Sequence, residues 1–228
     1  EITAALELEK AHKDNELLLL NILPSSIADR LKSGEGLIAD RFEDMSVLFA
    51  DVVGFTQMSK NMSPSALVEM LNTVFTMFDN IADKYKLEKI KTIGDAYMIA
   101  SGIPNSVATD EDAARPLVDL ALEMGPKVNQ LTRDFRKTAA LPEFQFRIGI
   151  HVGPAVAGVI GLEKFAYDVW GSTVNVASRM ESHGEPGMIH VTQGVRDALG
   201  DGYVFEDPGE KDIKSLGTIP TYSLTQRI

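Results

Sequence analysis

The feature that most constrains the fold is an apolar run from Met45 to Val53, within the segment FEDMSVLFADVVGFT. The run is short and rich in β-formers, which predicts a central strand buried on both faces. Asp51 lies in this run, three positions before Gly54. A buried carboxylate is very costly unless it is paired or bound to a metal. Asp51 is therefore either a metal or phosphate position or a cap of the following helix, and this segment alone leaves both interpretations open.

Length and composition indicate one globular domain with an appendage, or two small domains, in a chain of 228 residues. A formal net charge of -11 and a pI near 4.8 argue against a nucleic-acid binder, which needs a basic face. The absence of cysteine excludes disulfides and thiolate metal sites, and the four histidines show no metal-ligand spacing. No apolar run is long enough to span a bilayer, so we expect a cytoplasmic piece.

The first 23 residues form a predicted helix without a start signal, which suggests a fragment of a longer protein. A seam with spacings typical of a short coiled coil contains Ala4, Leu8, Ala11, Asn15, Leu18 and Ile22. The alternative is an amphipathic helix that packs on its own domain. Pro24 ends this helix, and a second short helix follows through Leu31. We therefore divide the chain into a coupling helix and linker (1–41) and a main domain (42–228).

The remaining pattern predicts an α+β fold. Ser63 and Pro64 begin a helix that continues to about Lys84. The further predicted elements are a hairpin at 87–101 with its turn at Gly94-Asp95, a helix at 110–138, a hairpin-like pair at 144–151 and 155–160, a strand at 165–170, a helix at 173–182, a strand at 188–192, a helix at 193–199, and two tail strands near 203–206 and 221–224. This is the ferredoxin-like βαββαβ order, with one helix layer on a mixed sheet.

A second acidic residue, Asp95, lies at the predicted hairpin tip. Gly-Asp in this position is most often only a turn signature. In a ferredoxin-like sheet, however, the first strand and the first hairpin are neighbours, so Asp51 and Asp95 are expected to converge. Two such carboxylates suit two Mg²⁺ ions, which take their remaining ligands from water and substrate phosphates. The spacing thus favours divalent-metal phosphate chemistry of unspecified type.

Two further pairs carry polar chemistry. Asn175 and Arg179 are four residues apart and share one face of a predicted helix, where Arg suits phosphate oxygens. The ordinary alternative is a solvated helix face. Lys91 and Asp168 are opposite charges that can read a purine edge, or else form a surface ion pair of under about 1 kcal/mol. His151, in an apolar strand, is interpreted as a hydrogen-bonded core histidine and receives no role.

Four segments carry a resemblance to a known family: VLFADVVGFT (47–56), EKIKTIGDAYM (88–98), FRIGIHVGPAVAGVIG (146–161) and YDVWGSTVNVASRM (167–180). In this order and spacing they resemble the catalytic domain of class III nucleotidyl cyclases, over essentially Phe42 to Leu224. The preceding helix and NILPSSIADRL (21–31) look like the coupling helix of membrane-bound bacterial members. Mycobacterial adenylyl cyclases are similar in this respect.

The resemblance implies a head-to-tail homodimer with two composite sites. In one protomer, Asp51 and Asp95 would hold two Mg²⁺ or Mn²⁺ ions, assisted by the Val52 carbonyl. The terminal phosphates of the substrate would be contacted by the backbone amides of Gly54, Phe55 and Thr56.

The other protomer would supply the groups that select and turn over the nucleotide. Lys91 and Asp168 would select adenine, Asn175 would position the ribose, and Arg179 would stabilise the pentavalent transition state. Guanylyl members are similar but carry Glu and Cys-like residues at the two base-selecting positions, so Lys with Asp points to ATP.

Two other positions align less well with the family. Lys214, in IKSLG, resembles a phosphate-contacting lysine. Some members carry an arginine after the HxG of the fourth strand, where this chain has Pro154, which puts that contact in doubt.

The activity that the resemblance implies is conversion of ATP to 3′,5′-cyclic AMP and pyrophosphate, regulated through the N-terminal helix. The full-length protein would be membrane-anchored or sensor-linked, with this domain on the cytoplasmic side. The rivals are a guanylyl or mixed-specificity cyclase, and a catalytically silent dimerisation or nucleotide-sensing module.

Overall fold

The computed structural model describes residues 2–138, 144–161, 164–207 and 209–228. Two helices open the chain: α1, Ile2–Leu20, and α2, Ser25–Lys32, with Pro24 at the corner between them. Both helices were expected, whereas pairing of α1 with a second copy stays a prediction. Lys32 on α2 forms an ion pair with Glu16 on α1 at 2.7 Å, which ties the two helices together.

The central part of the chain alternates strands and helices, as the pattern predicts. Its elements are β1, Ala39–Val52; α3, Phe55–Ser59; α4, Pro64–Tyr85; β2, Glu88–Ile93; β3, Ala96–Ser101; α5, Asp110–Thr138; and β4, Phe146–Ile160. The Ser63 hydroxyl caps α4 by accepting a hydrogen bond from the Ala66 amide at 3.3 Å. α5 runs as one helix through both of its prolines, Pro116 and Pro126.

The remaining elements extend the sheet. They are β5, Ala166–Trp170; α6, Ser172–Ser182; β6, Ile189–Thr192; α7, Gln193–Leu199; a 3₁₀ turn, Gly200–Gly202; β7, Tyr203–Glu206; β8, Glu210–Ile213; and β9, Gly217–Arg227. The polar strand β8 pairs with β9 and was not predicted, and neither was the short helix α3.

The strand order β2-β3-β1-β4 confirms the ferredoxin-like arrangement, because the first strand lies between the third and the fourth. The order continues through β6, β9 and β7, while β5 pairs with β4 outside this path. β1 is antiparallel to both of its neighbours, β3 and β4. The apolar run that begins at Met45 therefore lies in a buried central strand, as predicted.

The prediction of a hairpin around Gly153-Pro154 is wrong, because residues 146–160 form one continuous strand. Gly153 pairs with Met45 on β1, and a register shift follows between Phe42 and Met45. Pro154 lies beside this irregularity, where its missing N–H is tolerated. The second half of β4 then pairs with β5 as well as with β1. A strand with partners on both sides needs no turn at this Gly-Pro.

The prediction of a single helix layer is also wrong, because helices cover both faces of the sheet. Alternate residues of β1 point to different cores: Leu48, Ala50 and Val52 to one, Val47 and Phe49 to the other. α4, α5 and α7 pack on the first face. On the second face lie residues of α2 and α6, namely Ile27, Ala28 and Ala177, together with Leu23.

α6 approaches β4 so closely that only glycine fits between them. A Cβ at Gly149 would lie 2.0 Å from the Glu181 amide nitrogen and 2.5 Å from the Ala177 carbonyl oxygen. The buried His190 ring also bonds the Met180 carbonyl oxygen of α6 through Nδ1 at 2.7 Å. α6 is therefore seated directly on the sheet backbone.

Candidate active site

Asp51 and Asp95 meet at one end of the sheet. Asp51 is the penultimate residue of β1, and Asp95 lies in the β2–β3 turn beside Gly94, whose φ of 64° favours glycine. β3 pairs with β1 as far as Ala50 and Tyr97, which brings the turn next to the end of β1. Burial, and then the Asp51 carboxylate, raise the pKa of Asp95 to about 6. The convergence expected from the topology is thus present.

A cation that the sequence interpretation missed lies beside this pair. Arg147 is directly opposite Asp51 on β4, and its Nη2 donates to Asp51 Oδ2 at 3.1 Å. Its Nε lies 3.0 Å from Oε1 of the buried Glu181 on α6, although these two atoms are not aligned as a hydrogen bond. Burial raises the pKa of Glu181 to about 7, against the opposing effect of Arg147. The sequence signal that could have revealed Arg147 is a charged residue at an inward-facing position of a buried strand.

The chain turns at Gly54 immediately after β1. Gly54 has a left-handed φ of 75°, and its carbonyl oxygen accepts hydrogen bonds from the Gln57 and Met58 amides at 3.0 Å each. Within the described residues, the amides of Gly54, Phe55 and Thr56 have no backbone acceptor in this turn. The first amides of a helix generally lack internal acceptors. These N–H groups are therefore free to meet an anionic group near Asp51.

Lys91 and Asp168 form an ion pair within one chain. Lys91 on β2 donates to Asp168 Oδ2, and the Val169 amide donates to Asp168 Oδ1 at 2.8 Å. The lysine side chain is 40% exposed and that of the aspartate 18%. The two predicted base-selecting residues, 77 positions apart in the chain, are thus brought together.

Asn175 and Arg179 lie on the face of α6 opposite the sheet. The buried positions of this helix are Thr173, Ala177, Met180 and Glu181. At 100° per residue, Arg179 is rotated about 200° from both Ala177 and Glu181, and Asn175 shares the direction of Arg179. Within the described part of the chain, neither side chain has a hydrogen bond or ion pair. They point away from Asp51 and Asp95 of their own chain.

The remaining predicted positions lie as follows. The backbone of Val52 ends β1 next to Asp51, and Lys214 is exposed in the β8–β9 turn. His151 is half-buried, its pKa is lowered to about 4 by burial, and it shares a 2.8 Å hydrogen bond with the Thr192 hydroxyl. It is thus hydrogen-bonded as expected, but it is not one of the buried core residues. Among the described residues, no three His, Cys, Asp or Glu side chains are arranged to hold a metal ion.

A family model described as the adenylate and guanylate cyclase catalytic domain matches residues 37–226. The chain belongs to this family. The class III resemblance is therefore confirmed, and the chain is a nucleotidyl cyclase catalytic domain.

Individual relatives of this cyclase domain include both nucleotide classes. An adenylate cyclase of Mycobacterium tuberculosis (strain ATCC 25618 / H37Rv) is 42% identical over 221 residues, which is 96% of this chain and 48% of that protein. Human retinal guanylyl cyclase 1 is 40% identical over 230 residues, 100% of this chain and 20% of that protein. A guanylate cyclase domain from Catenaria anguillulae, crystallised with GTP, superposes with a TM-score of 0.75 at 32% identity, over 83% of this chain and 100% of that one.

The cyclase domain spans about half the length of the mycobacterial relative. Within the residues that the structure describes, no helix has both the length and the apolar character that crossing a membrane requires.

Proposed function

We propose that this domain is an adenylyl cyclase that forms 3′,5′-cyclic AMP and pyrophosphate from ATP in composite sites of a homodimer. The observation that carries this proposal is the division of polar groups on one chain. Asp51 and Asp95 lie at the sheet end, whereas Asn175 and Arg179 point away from them on the far face of α6. A second copy placed head to tail would bring the α6 face of one protomer over the carboxylates of the other.

The choice of ATP rests on the Lys91–Asp168 pair. Adenine presents a ring nitrogen that accepts a hydrogen bond and an amino group that donates one. An ammonium group and a carboxylate held side by side complement these two groups. The base would enter by replacing their mutual contact, and its own two polar groups would then bond the ammonium group and the carboxylate in place of that contact.

Divalent cations fit the carboxylate end of the site. Asp51, Asp95 and Glu181 face a single arginine there, and a further cation would stabilise the ionised form of Asp95 and Glu181, whose pKa values burial raises. Asp51 and Asp95, with the Val52 carbonyl, would hold two Mg²⁺ or Mn²⁺ ions, and substrate phosphates and water would complete the coordination. When bound, such ions lower the pKa of the ribose 3′-hydroxyl and neutralise the triphosphate.

The protein groups would then have distinct tasks. The amides of Gly54, Phe55 and Thr56 bind the terminal phosphates, and Asn175 holds the ribose so that its 3′-oxygen is in line with the α-phosphorus. The 3′-hydroxyl gives up its proton to a carboxylate, a water molecule or a substrate oxygen. The new bond joins the 3′-oxygen to the α-phosphorus, and the bond from the α-phosphorus to the bridging oxygen breaks, so that pyrophosphate leaves. Arg179 meets the charge that develops on the α-phosphate oxygens, and its removal is expected to lower kcat ~10³-fold or more. Lys214, which resembles a phosphate-contacting lysine of the family, would add a further contact to the phosphates.

Turnover of ATP and GTP, compared with Mn²⁺ present, tests the substrate. We expect ATP to be preferred; preference for GTP would contradict the roles of Lys91 and Asp168, and ATP binding without pyrophosphate release would indicate a silent module. Mixing inactive Asp51→Ala with inactive Arg179→Ala protein tests the composite arrangement, because one intact site should form per heterodimer. Failure to recover activity on mixing would contradict it.

The setting of the domain is proposed from its similarity to part of a longer mycobacterial adenylate cyclase. We infer a membrane anchor or sensor domain on the N-terminal side, with catalysis at the cytoplasmic face. Residues 1–41 would then couple that region to the catalytic body at 42–228.

A further inference from the structure

Arg147 connects two parts of the protein that have separate tasks in the proposed reaction. It reaches Asp51, a carboxylate of the metal end, at 3.1 Å and Glu181, on α6, at 3.0 Å. The three side chains are largely screened from solvent, with exposed fractions of 29% for Arg147, 22% for Asp51 and 11% for Glu181. In such a setting a charged contact is stronger than on the surface, and an unpaired charge is more costly.

α6 has little freedom to move against the sheet except as a unit. Gly149 lies two residues after Arg147 on the same face of β4, and the helix backbone rests on it. His190, which pairs with Gly149 across the parallel β4–β6 ladder, holds the Met180 carbonyl oxygen. A change at the Glu181 end therefore shifts or rotates the whole helix rather than one side chain.

That helix carries Asn175 and Arg179 on its opposite face. A displacement of about 1 Å in a positioning element can lower a rate by about 10²-fold. Any shift of α6 at the Glu181 end would therefore move Arg179 as well, although Glu181 itself would not touch the substrate.

We infer that Arg147 is a positioning residue that couples the metal-binding carboxylates of one composite site to the transition-state face of α6, which serves the other composite site of the dimer. The inference rests on the proposed function, since the two ends belong to different sites only in a head-to-tail dimer. It offers a defined physical connection between the sites: one ion-pair bridge and one closely seated helix.

The planar guanidinium is essential to this connection. Its separate nitrogens face Asp51 and Glu181 at the same time. A lysine would keep the positive charge, but as a single point charge on a flexible stem it cannot hold both partners in a fixed direction. Arg147→Lys therefore keeps the positive charge and removes the fixed orientation of the two contacts.

The test uses heterodimers with one working site, made from differently tagged protomers. One protomer carries Arg179→Ala and supplies the carboxylates of the working site; its partner supplies α6. The partner's own carboxylates are inactivated in one of two ways. Asp95→Asn leaves the Asp51–Arg147 contact in place, whereas Asp51→Asn removes the charge that Arg147 faces.

Both inactivating substitutions lie in the idle site, yet we expect the working site to turn over at different rates in the two heterodimers. The Asp51→Asn heterodimer should have a kcat about tenfold below that of the Asp95→Asn heterodimer. Adding Arg147→Lys to the Asp95→Asn protomer should lower kcat by a similar factor, as should Glu181→Gln. Arg227→Lys, which alters an ion pair with Asp119 far from the site, is the matched control and should stay within about twofold.

Mn²⁺ binding to nucleotide-free protein, followed by electron paramagnetic resonance, provides a readout that is independent of turnover. Arg147→Lys keeps the local charge, so its Mn²⁺ affinity should remain near wild type while kcat falls. General damage to the site would lower both together, and that result would overturn the inference. Equal kcat values for the two parent heterodimers would also overturn it. An inactive Asp95→Asn parent would instead refute the composite site of the proposed function, and with it the coupling between sites.

Discussion

Replacing Gly149 with alanine should push α6 off β4. The added methyl carbon would lie 2.0 Å from the Glu181 amide nitrogen and 2.5 Å from the Ala177 carbonyl oxygen, both of them backbone atoms. Restoring van der Waals contact requires the helix to retreat by more than about 1 Å, since carbon atoms pack at roughly 3.5–4 Å. Overpacking of this kind costs about 1–3 kcal/mol, and a clash with backbone belongs at the upper end of that range.

For a domain of this size, about 3 kcal/mol corresponds to a fall of roughly 6–12 °C in Tm. Thermal unfolding followed by circular dichroism measures that fall. Cyclase activity measured well below the transition should decline by about 10²-fold, because Arg179 moves with the helix. Gly36→Ala is the matched control: nothing lies within 4 Å of its added carbon, so Tm and activity should hardly change. A Gly149→Ala protein with the wild-type Tm would refute the close seating of α6.

Three further predictions concern other parts of the chain. Burial raises the pKa of Glu88 to about 7, so the stability contributed by its protonated form is lost as pH rises from about 4.5 to 7. Glu88→Gln should therefore raise Tm at pH 8 by an amount equivalent to about 1–3 kcal/mol and leave Tm nearly unchanged at pH 5. The control Glu210→Gln replaces an exposed side chain and should leave Tm nearly unchanged at both pH values. Removing residues 1–20 should lower specific activity at low protein concentration, and the lost activity should return when the protein concentration is raised. If specific activity depends on protein concentration as in the intact chain, α1 is a passive linker. Lys214→Ala should raise the KM for ATP only a few-fold at low salt, because the side chain is exposed, and an unaltered KM would remove it from the site.

Sequence patterns predicted the elements whose signals are local. Ser63 and Pro64 mark the start of α4, and Gly94 with Asp95 marks the β2–β3 turn, because capping and turn geometry depend on adjacent residues. The failure at Gly153-Pro154 has the opposite cause. Whether a Gly-Pro turns or continues depends on its neighbours in the sheet, and those come from β1 and β5, far away in the chain.

The candidate site shows the same difference between what sequence patterns predict and what depends on distant neighbours. Asp51 and Asp95 could be paired from the expected topology, because the two strand ends are neighbours in a ferredoxin-like sheet. Arg147 and Glu181 could not be paired in this way. Their contact depends on α6 lying on the second face of the sheet, and the βαββαβ pattern predicts only one helix layer. A charged residue in a buried strand signals a partner but does not identify it.

The position of α2 determines where this protein can be shortened. Leu23 and Ile27 fill the second core, and Arg30 reaches from α2 to Asp40 at the start of β1. A fragment that starts at β1 would lack those two side chains and uncover the core residues that they pack against. Burial of each side chain contributes about 1.5–3 kcal/mol, against a total stability of about 5–15 kcal/mol for a typical domain. Recombinant versions therefore need to begin ahead of Leu23 to keep a secure margin of folding. The short helix α2, which looks like a connector, thus also completes the second core of the sheet.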